Sequence, residues 1–208
     1  MSDETTMKVV LKDSTPLHIA SYAARVCTDT TYLEVDGITD MPLLYKIIKM
    51  GHESVLEHIN YTFEIEGVSR ALLQELSRHR HISLSVESTR YTLKKHLKDG
   101  YVSIAYPPGT SLDENPRVNI GIGRWIRQGL GMMLDMYEDG FPTDVVKYLL
   151  PECVCTRLIM TCNLRELRHI YRLRSSVKAL PEFRALVKEI KDSLPVMSQA
   201  LLMAGMDE

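Results

Sequence analysis

The sequence predicts an α/β protein, α+β-like in organisation, with a mixed or antiparallel sheet flanked by long helices in a single domain spanning residues 1–208. Three observations carry that expectation. Ile59, Tyr61, Phe63 and Ile65 alternate with Asn60, Thr62, Glu64 and Glu66, the period of a strand with one buried and one wet face. From Val68 the spacing becomes helical, with Leu72, Leu73 and Leu76 clustered on one side. A chain of 208 residues that is 45% hydrophobic and 25% charged also has enough apolar side chains for one ordinary globular core.

Each element has its own local reason. Met7–Leu11 is apolar and β-branched enough for a first strand, and Ser14-Thr15-Pro16 reads as a cap with proline in the first turn of a helix of about ten residues. Cys27–Gly37 is polar and irregular. Asp40-Met41-Pro42 opens a second helix with Leu43, Leu44, Ile47 and Ile48 on its apolar face, and Gly51 ends it through a left-handed cap. Gly67 marks the end of the 59–66 strand. The helix that follows delivers Arg78, His79 and Arg80 to its C-terminal end, where the helix dipole favours cations. Ile82, Leu84 and Val86 alternate with Ser83, Ser85 and Glu87, an extended, loop-like stretch, and Tyr101–Ala105 is a strand candidate before the turn Tyr106-Pro107-Pro108-Gly109.

Asn115-Pro116 opens a long helix, weakened by Gly121, Gly123, Gly129 and Gly131, that ends near Gly140. Pro142 restarts a short helix and Pro151 breaks it. Val154–Thr161 is apolar enough for a strand, and Asn163-Leu164-Arg165-Glu166 has the capping-box pattern. The buried stripe Leu164, Leu167, Tyr171 continues by three to Arg174. A guanidinium there stands where the next apolar residue belongs, so it needs an anionic or polar partner. A last helix from Pro181 to about Met203 buries Phe183, Leu186, Val187 and Ile190, with Pro195 kinking or interrupting it.

The formal charge of −2, from 25 basic and 27 acidic residues, gives no global positive field of the kind a nucleic-acid protein uses. Cys27, Cys153, Cys155 and Cys162 form neither a secreted disulfide framework nor a zinc-spaced set, which points to the reducing cytoplasm. The acidic start MSDETTMKVV lacks a signal-peptide core, and no apolar run approaches a membrane span.

Chemistry concentrates in Arg78 to Tyr91, RHRHISLSVESTRY, where cations precede a string of hydroxyls and close on Arg90. Arginine forks fit phosphate oxygens two at a time and serine hydroxyls complete the shell, so a phosphorylated small molecule is the expected ligand. Plainer roles stand beside this one. Taken alone, Arg78, His79 and Arg80 are a solvated helix end, and Ser83 and Ser85 are equally well the wet side of an extended segment. His52 and His58, flanking Glu53 and Glu57, read as structural histidines, and no metal is expected. Arg165, Arg168 and Arg172 share a helical face, with Arg168 and Arg172 assigned to a solvated stripe, and Met132 and Met133 are expected as core filler.

The segment Arg78–Arg90 resembles the R-H-R-x-x-S signature with trailing S-x-R of the flavin-dependent thymidylate synthases. It is accompanied in order by His52-Glu53-Ser54, Glu57-His58, Asn163-Leu164-Arg165 and Leu173-Arg174, so the resemblance covers nearly the whole chain. It implies an α/β homotetramer with active sites shared between subunits. The implied activity makes thymidylate from deoxyuridylate (dUMP), with methylenetetrahydrofolate supplying the carbon, NADPH the reducing equivalents and bound FAD mediating the transfer.

By position, the resemblance assigns Ser54, Arg78, His79, Arg80, Asn163, Arg165 and His169 to FAD. It assigns Glu75, Arg78, Ser88, Arg90, Lys147 and Arg174 to dUMP. Arg174 is the expected catalytic residue, a permanent cation against the uracil edge that favours ionisation of the pyrimidine. No cysteine nucleophile is required. The chain departs from the family pattern at Ser85 and Val86, where Asn and Glu are usual, leaving Glu87 one place away. It departs also at Glu75 for glutamine, Lys147 for a ligand-binding arginine, and Lys178 for histidine. Lys147 can still neutralise phosphate, as a point charge without the fork.

Two other classes remain open on sequence alone. One is a nucleic-acid-binding module using Arg78–Arg90 and Arg165–Arg174, which steeply salt-dependent binding would reveal. The other is a non-catalytic assembly protein that has kept the fold.

Overall fold

The computed structural model describes residues 6–30, 40–99, 102–106 and 116–206. The irregular stretch expected after Thr30, Tyr101 of the strand candidate, the turn residues Pro107, Pro108 and Gly109, and the cap Asn115 lie outside them. Strands β1 (Lys8–Ser14), β2 (Asn60–Ser69), β3 (Ile82–Val86) and β4 (Cys155–Asn163) form one antiparallel sheet in the order β1-β2-β4-β3. Ile59, Tyr61, Phe63 and Ile65 are each no more than 1% exposed, so the alternation places one face of β2 in the core. The mixed α/β class therefore stands.

Gly67 does not stop β2, as its composition predicted. It takes φ +71°, which glycine adopts without Cβ strain, and the strand continues through Val68 to Ser69 with the alternation broken into three consecutive buried positions. Ser69 then caps α3 (Arg70–Leu76) by accepting the Leu72 N–H at 2.9 Å. Ser14 belongs to β1 and Thr15 bonds β2 through Asn60, so α1 (His18–Cys27) begins without the expected side-chain cap. In α2 (Met41–Lys49), Leu44 and Ile48 are buried while Leu43 and Ile47 are half-buried, and Gly51 follows at φ +76°.

The stretch 82–86 is a strand rather than a loop, with Ser83 and Ser85 on its exposed side. Helix α4 (Thr89–Asp99) follows where no helix was expected, because its sequence is mostly polar and its apolar signal is only the i, i+4 pair Leu93 and Leu97, both buried. Ile104 makes an isolated bridge to Val154 in place of the strand anticipated at 101–105. Helices α5 (Pro116–Glu138) and α6 (Thr143–Val146) match expectation, the latter continuing as a 3₁₀ turn over Lys147–Leu149. Met133 is core, but Met132 is 60% exposed and fills nothing.

By backbone contacts the chain divides into two compact units. One comprises Met1–Lys8, Ile65–Arg78 and Ser85–Leu158. Its core gathers Leu93, Leu97, Met133 and Val146, with Leu130, Leu134 and Tyr137 packed on them. The other comprises Val9–Glu64, His79–Leu84 and Ile159–Glu208. In it α7 (Leu164–Arg174) packs on the 3₁₀ turn Glu53–His58, on α8 (Pro181–Ser193) and on α9 (Val196–Met203). Pro195 interrupts the last helix and separates α8 from α9. Among the described residues no helix is long and apolar enough to cross a membrane.

Arg168 overturns its assignment to a solvated stripe, being 2% exposed. Its Nη2 lies 3.0 Å from Glu53 Oε1 and donates at 2.8 Å to the Ala204 carbonyl, while Nη1 donates to the carbonyls of Leu201 and Leu202. An arginine can be buried when its donors are met this completely.

Candidate functional site

In the α7 unit, the hydrogen bond from Glu166 N–H to Asn163 Oδ1, 2.8 Å, starts the helix at Leu164. That start sets which residues face inward. Leu164, Leu167 and Ile170 are buried, Tyr171 is half-buried, and Arg174 takes the next place on the same side, also half-buried. Its guanidinium lies over the Phe183 ring at 4.7 Å, so the partner is aromatic as well as polar. Its Nε donates to Nε2 of His79 at 3.2 Å.

His79 is the buried centre of this group. Its Nδ1 is 3.4 Å from Glu166 Oε1, and its ring meets those of His169 and Phe183 edge-on at 6.1 and 5.9 Å. Burial lowers its pKa below the ordinary imidazole value and the Arg174 cation pushes the same way, while Glu166 pulls it back. The imidazole is therefore neutral at neutral pH. His79, Glu166 and His169 bring ligand atoms within 4.8 Å of one another, a spacing a metal ion could use. Yet an arginine only donates, so Nε2 accepts from Arg174 and Nδ1 carries the hydrogen, leaving this tautomer of His79 no lone pair for an ion. Glu166 has two parts to play, its N–H meeting the Asn163 cap and its carboxylate facing His79, and the capping-box pattern signals only the helix start.

Asn163, Arg165, Glu166 and His169 line a cleft of about 610 Å³ with Glu53, Glu57, His81 and Arg172. Arg165, Arg172 and the imidazoles offer donors to an anion. The acidic lining is partly offset, because Glu53 meets Arg168 at 3.0 Å and Glu57 meets Arg165 at 2.5 Å. This donor set fits a dinucleotide diphosphate. Ser54 is exposed and lines a second cavity of about 510 Å³ with Arg25, Lys46 and His52, and Arg80 is exposed outside the residues lining the 610 Å³ cleft.

The other expected residues belong to the α5 unit. Arg90, just inside α4, reaches Asp144 at 3.0 Å, and Lys147 reaches the same carboxylate at 3.5 Å. Ser88 is exposed immediately before α4. Arg78 and Glu75 are 3.9 Å apart at the end of α3. Arg90 and Lys147 thus already converge on one anion, the arrangement a phosphate requires. Glu87 pairs with His96 at 3.3 Å, and Val86 is half-buried in β3. Burial pushes the Cys162 thiol up to about 12 and raises that of Cys153, the opposite of an activated nucleophile.

Fold and side-chain chemistry together define an α/β protein in each of whose units arginine, lysine or histidine side chains present donors of the kind that suit anionic ligands. The family described as thymidylate synthase complementing protein matches residues 8–196. Flavin-dependent thymidylate synthase from Helicobacter pylori is 40% identical over 207 residues, covering 94% of this chain and 97% of its own. The protein of that name from Campylobacter jejuni is 37% identical over 191 residues, covering 91% and 92%. The crystal structure of thymidylate synthase X from Helicobacter pylori with FAD and dUMP matches with a TM-score of 0.79 at 36% identity, covering 95% of this chain and 97% of that one. A UMP/dUMP methylase from Streptomyces cacaoi shares the fold, with a TM-score of 0.81 at 21% identity over 98% and 97% of the two chains. The chain belongs to the flavin-dependent thymidylate synthase family. It is an FAD-dependent thymidylate synthase, and its relatives support that activity rather than a nucleic-acid-binding module.

Proposed function

We propose that the protein reductively methylates dUMP to dTMP, with methylenetetrahydrofolate as carbon donor, NADPH as reductant and FAD as the bound cofactor. The observation that carries the proposal is Arg174. It is a permanent cation held against Phe183 and His79 on the inward side of α7, in a chain 36% identical to a synthase solved with FAD and dUMP. FAD, when bound, supplies redox chemistry that no side chain of the protein can provide.

The protein's own groups bind and polarise. Asn163, Arg165 and His169 of the 610 Å³ cleft, with Ser54, Arg78, His79 and Arg80, are proposed to hold FAD. Ser88, Arg90 and Lys147 are proposed to take the nucleotide phosphate in place of the Asp144 carboxylate, with Glu75 and Arg78 completing the dUMP contacts. Arg174 is proposed to take the uracil edge of a bound dUMP, its charge stabilising the ionised pyrimidine and raising the nucleophilicity of the carbon to be methylated.

The match over 8–196 supports treating residues 1–208 as one functional domain. A homotetramer with shared sites is proposed with it. Trp125 and Met132, each 60% exposed and two helical turns apart on α5, support a protein-facing surface there. The four free cysteines are consistent with a cytoplasmic setting. The decisive experiment is tritium release from labelled dUMP with NADPH, folate donor and FAD present. Release that depends on all three is the expected result, and no release from yellow, flavin-loaded protein would overturn the proposal.

A further inference from the structure

We propose that Glu166 is a positioning residue: through the imidazole of His79 it fixes the direction in which Arg174 presents its guanidinium. The inference rests on the role given to Arg174 under the proposed function and adds to it a residue of the 610 Å³ cleft lining that acts through His79. Three contacts in series carry it. Asn163 Oδ1 accepts the Glu166 N–H at 2.8 Å, Glu166 Oε1 faces His79 Nδ1 at 3.4 Å, and Arg174 Nε donates to His79 Nε2 at 3.2 Å.

The chemistry of the three groups allows one arrangement of protons. Arginine has no acceptor, so Nε2 of His79 must present its lone pair to Arg174, and in a neutral ring the hydrogen then sits on Nδ1. That hydrogen needs an acceptor from the protein, because the His79 side chain is only 6% exposed. Glu166 provides it. Its own side chain is only 10% exposed and its helix position is set by the Asn163 cap. Without the carboxylate the Nδ1–H tautomer loses its partner, and the other tautomer points an N–H at the N–H of Arg174. The guanidinium would then leave its place over Phe183. The same logic explains why metal ligands commonly have their second ring nitrogen fixed by a carboxylate, with an arginine here in the place of the ion.

Two independent readouts test this. In the flavin-loaded enzyme with selectively labelled histidine, nitrogen NMR of His79 should report Nδ1–H in the wild type and a shift toward Nε2–H in Glu166→Ala. Tritium release should fall roughly tenfold or more in kcat for Glu166→Ala, and Glu166→Gln, whose amide oxygen still accepts from Nδ1–H, should recover most of it. In an Arg174→Lys background, Glu166→Ala should add little, because both changes act on one group. An Nε2–H tautomer in the wild type overturns the inference whatever the activity. So does Glu166→Ala turnover within about twofold of wild type, equal losses in the alanine and glutamine variants, or a full additive loss on Arg174→Lys. If Glu166→Ala does not fold, the wild-type tautomer and Glu166→Gln still decide. An inactive wild type with the Nδ1–H tautomer would instead sink the proposed function and leave the proton arrangement standing.

Discussion

Arg174 donates from Nε to Nε2 of His79 at 3.2 Å, so a permanent cation and a buried imidazole share one hydrogen bond that exists only while the imidazole is neutral. Protonating His79 would set two cations against each other beside the Phe183 ring. The folded-state pKa of His79 lies below the ordinary value of 6.5, from burial first and Arg174 second. The contribution to stability is therefore fully present above about pH 6.5 and is lost as the pH falls through the lower folded value. Urea unfolding of wild type and His79→Gln between pH 7.5 and about 5 checks this. Glu166 and His169, the other titratable groups facing the ring, are common to both proteins, so the wild type should lose more stability than the variant as the solution is acidified. Parallel losses would contradict it.

Arg174→Ala should abolish thymidylate formation while the protein remains folded and retains much of its flavin. The guanidinium over Phe183 at 4.7 Å contributes about 0.5–2 kcal/mol at a half-buried site, which lowers the melting temperature by a few degrees and does not unfold the chain. Near-normal turnover with this variant would remove Arg174 from the reaction.

Ser88→Ala and Arg90→Ala should weaken dUMP binding and spare flavin retention. Arg90 and Asp144 are 63% and 42% exposed at the side chain, so their 3.0 Å pair adds only about 0–1 kcal/mol to stability, and any larger effect must come from ligand. Calorimetric titration with dUMP separates the two, with a roughly tenfold rise in Kd expected for Arg90→Ala. An unchanged Kd in both variants would place the phosphate elsewhere.

Local order was legible and long-range partnership was not. The alternation at 59–65 and the Asn163 cap follow from residues within one turn or one strand of each other, and both appear as anticipated. The inward position of Arg174 was legible for the same reason. Arg168 and Arg172 look alike in sequence, yet one is sealed by Glu53 and three carbonyls at 201–204 while the other is exposed in the cleft lining, because those partners lie far along the chain. Arg78 and His79 are adjacent in the motif and fall in different compact units. No periodicity could report that. Helix α4 is weakly encoded locally, because two leucines four apart are a faint signal among polar residues.

Arg168 supplies the sharpest test of that contrast. Arg168→Met keeps much of the volume and removes every donor, leaving Glu53 without its cation and the carbonyls of Leu201, Leu202 and Ala204 without their N–H partners. Breaking a buried ion pair from one side costs about 3–5 kcal/mol, and the lower end applies because Glu53 keeps 20% exposure at its side chain. Arg172→Met, one turn further along the same helix and exposed, should change stability by less than about 0.5 kcal/mol. Urea denaturation of both variants gives the comparison directly. Equal, small effects would mean that the carbonyls at the end of α9 find other donors, and that α7 and α9 do not depend on this guanidinium for their packing.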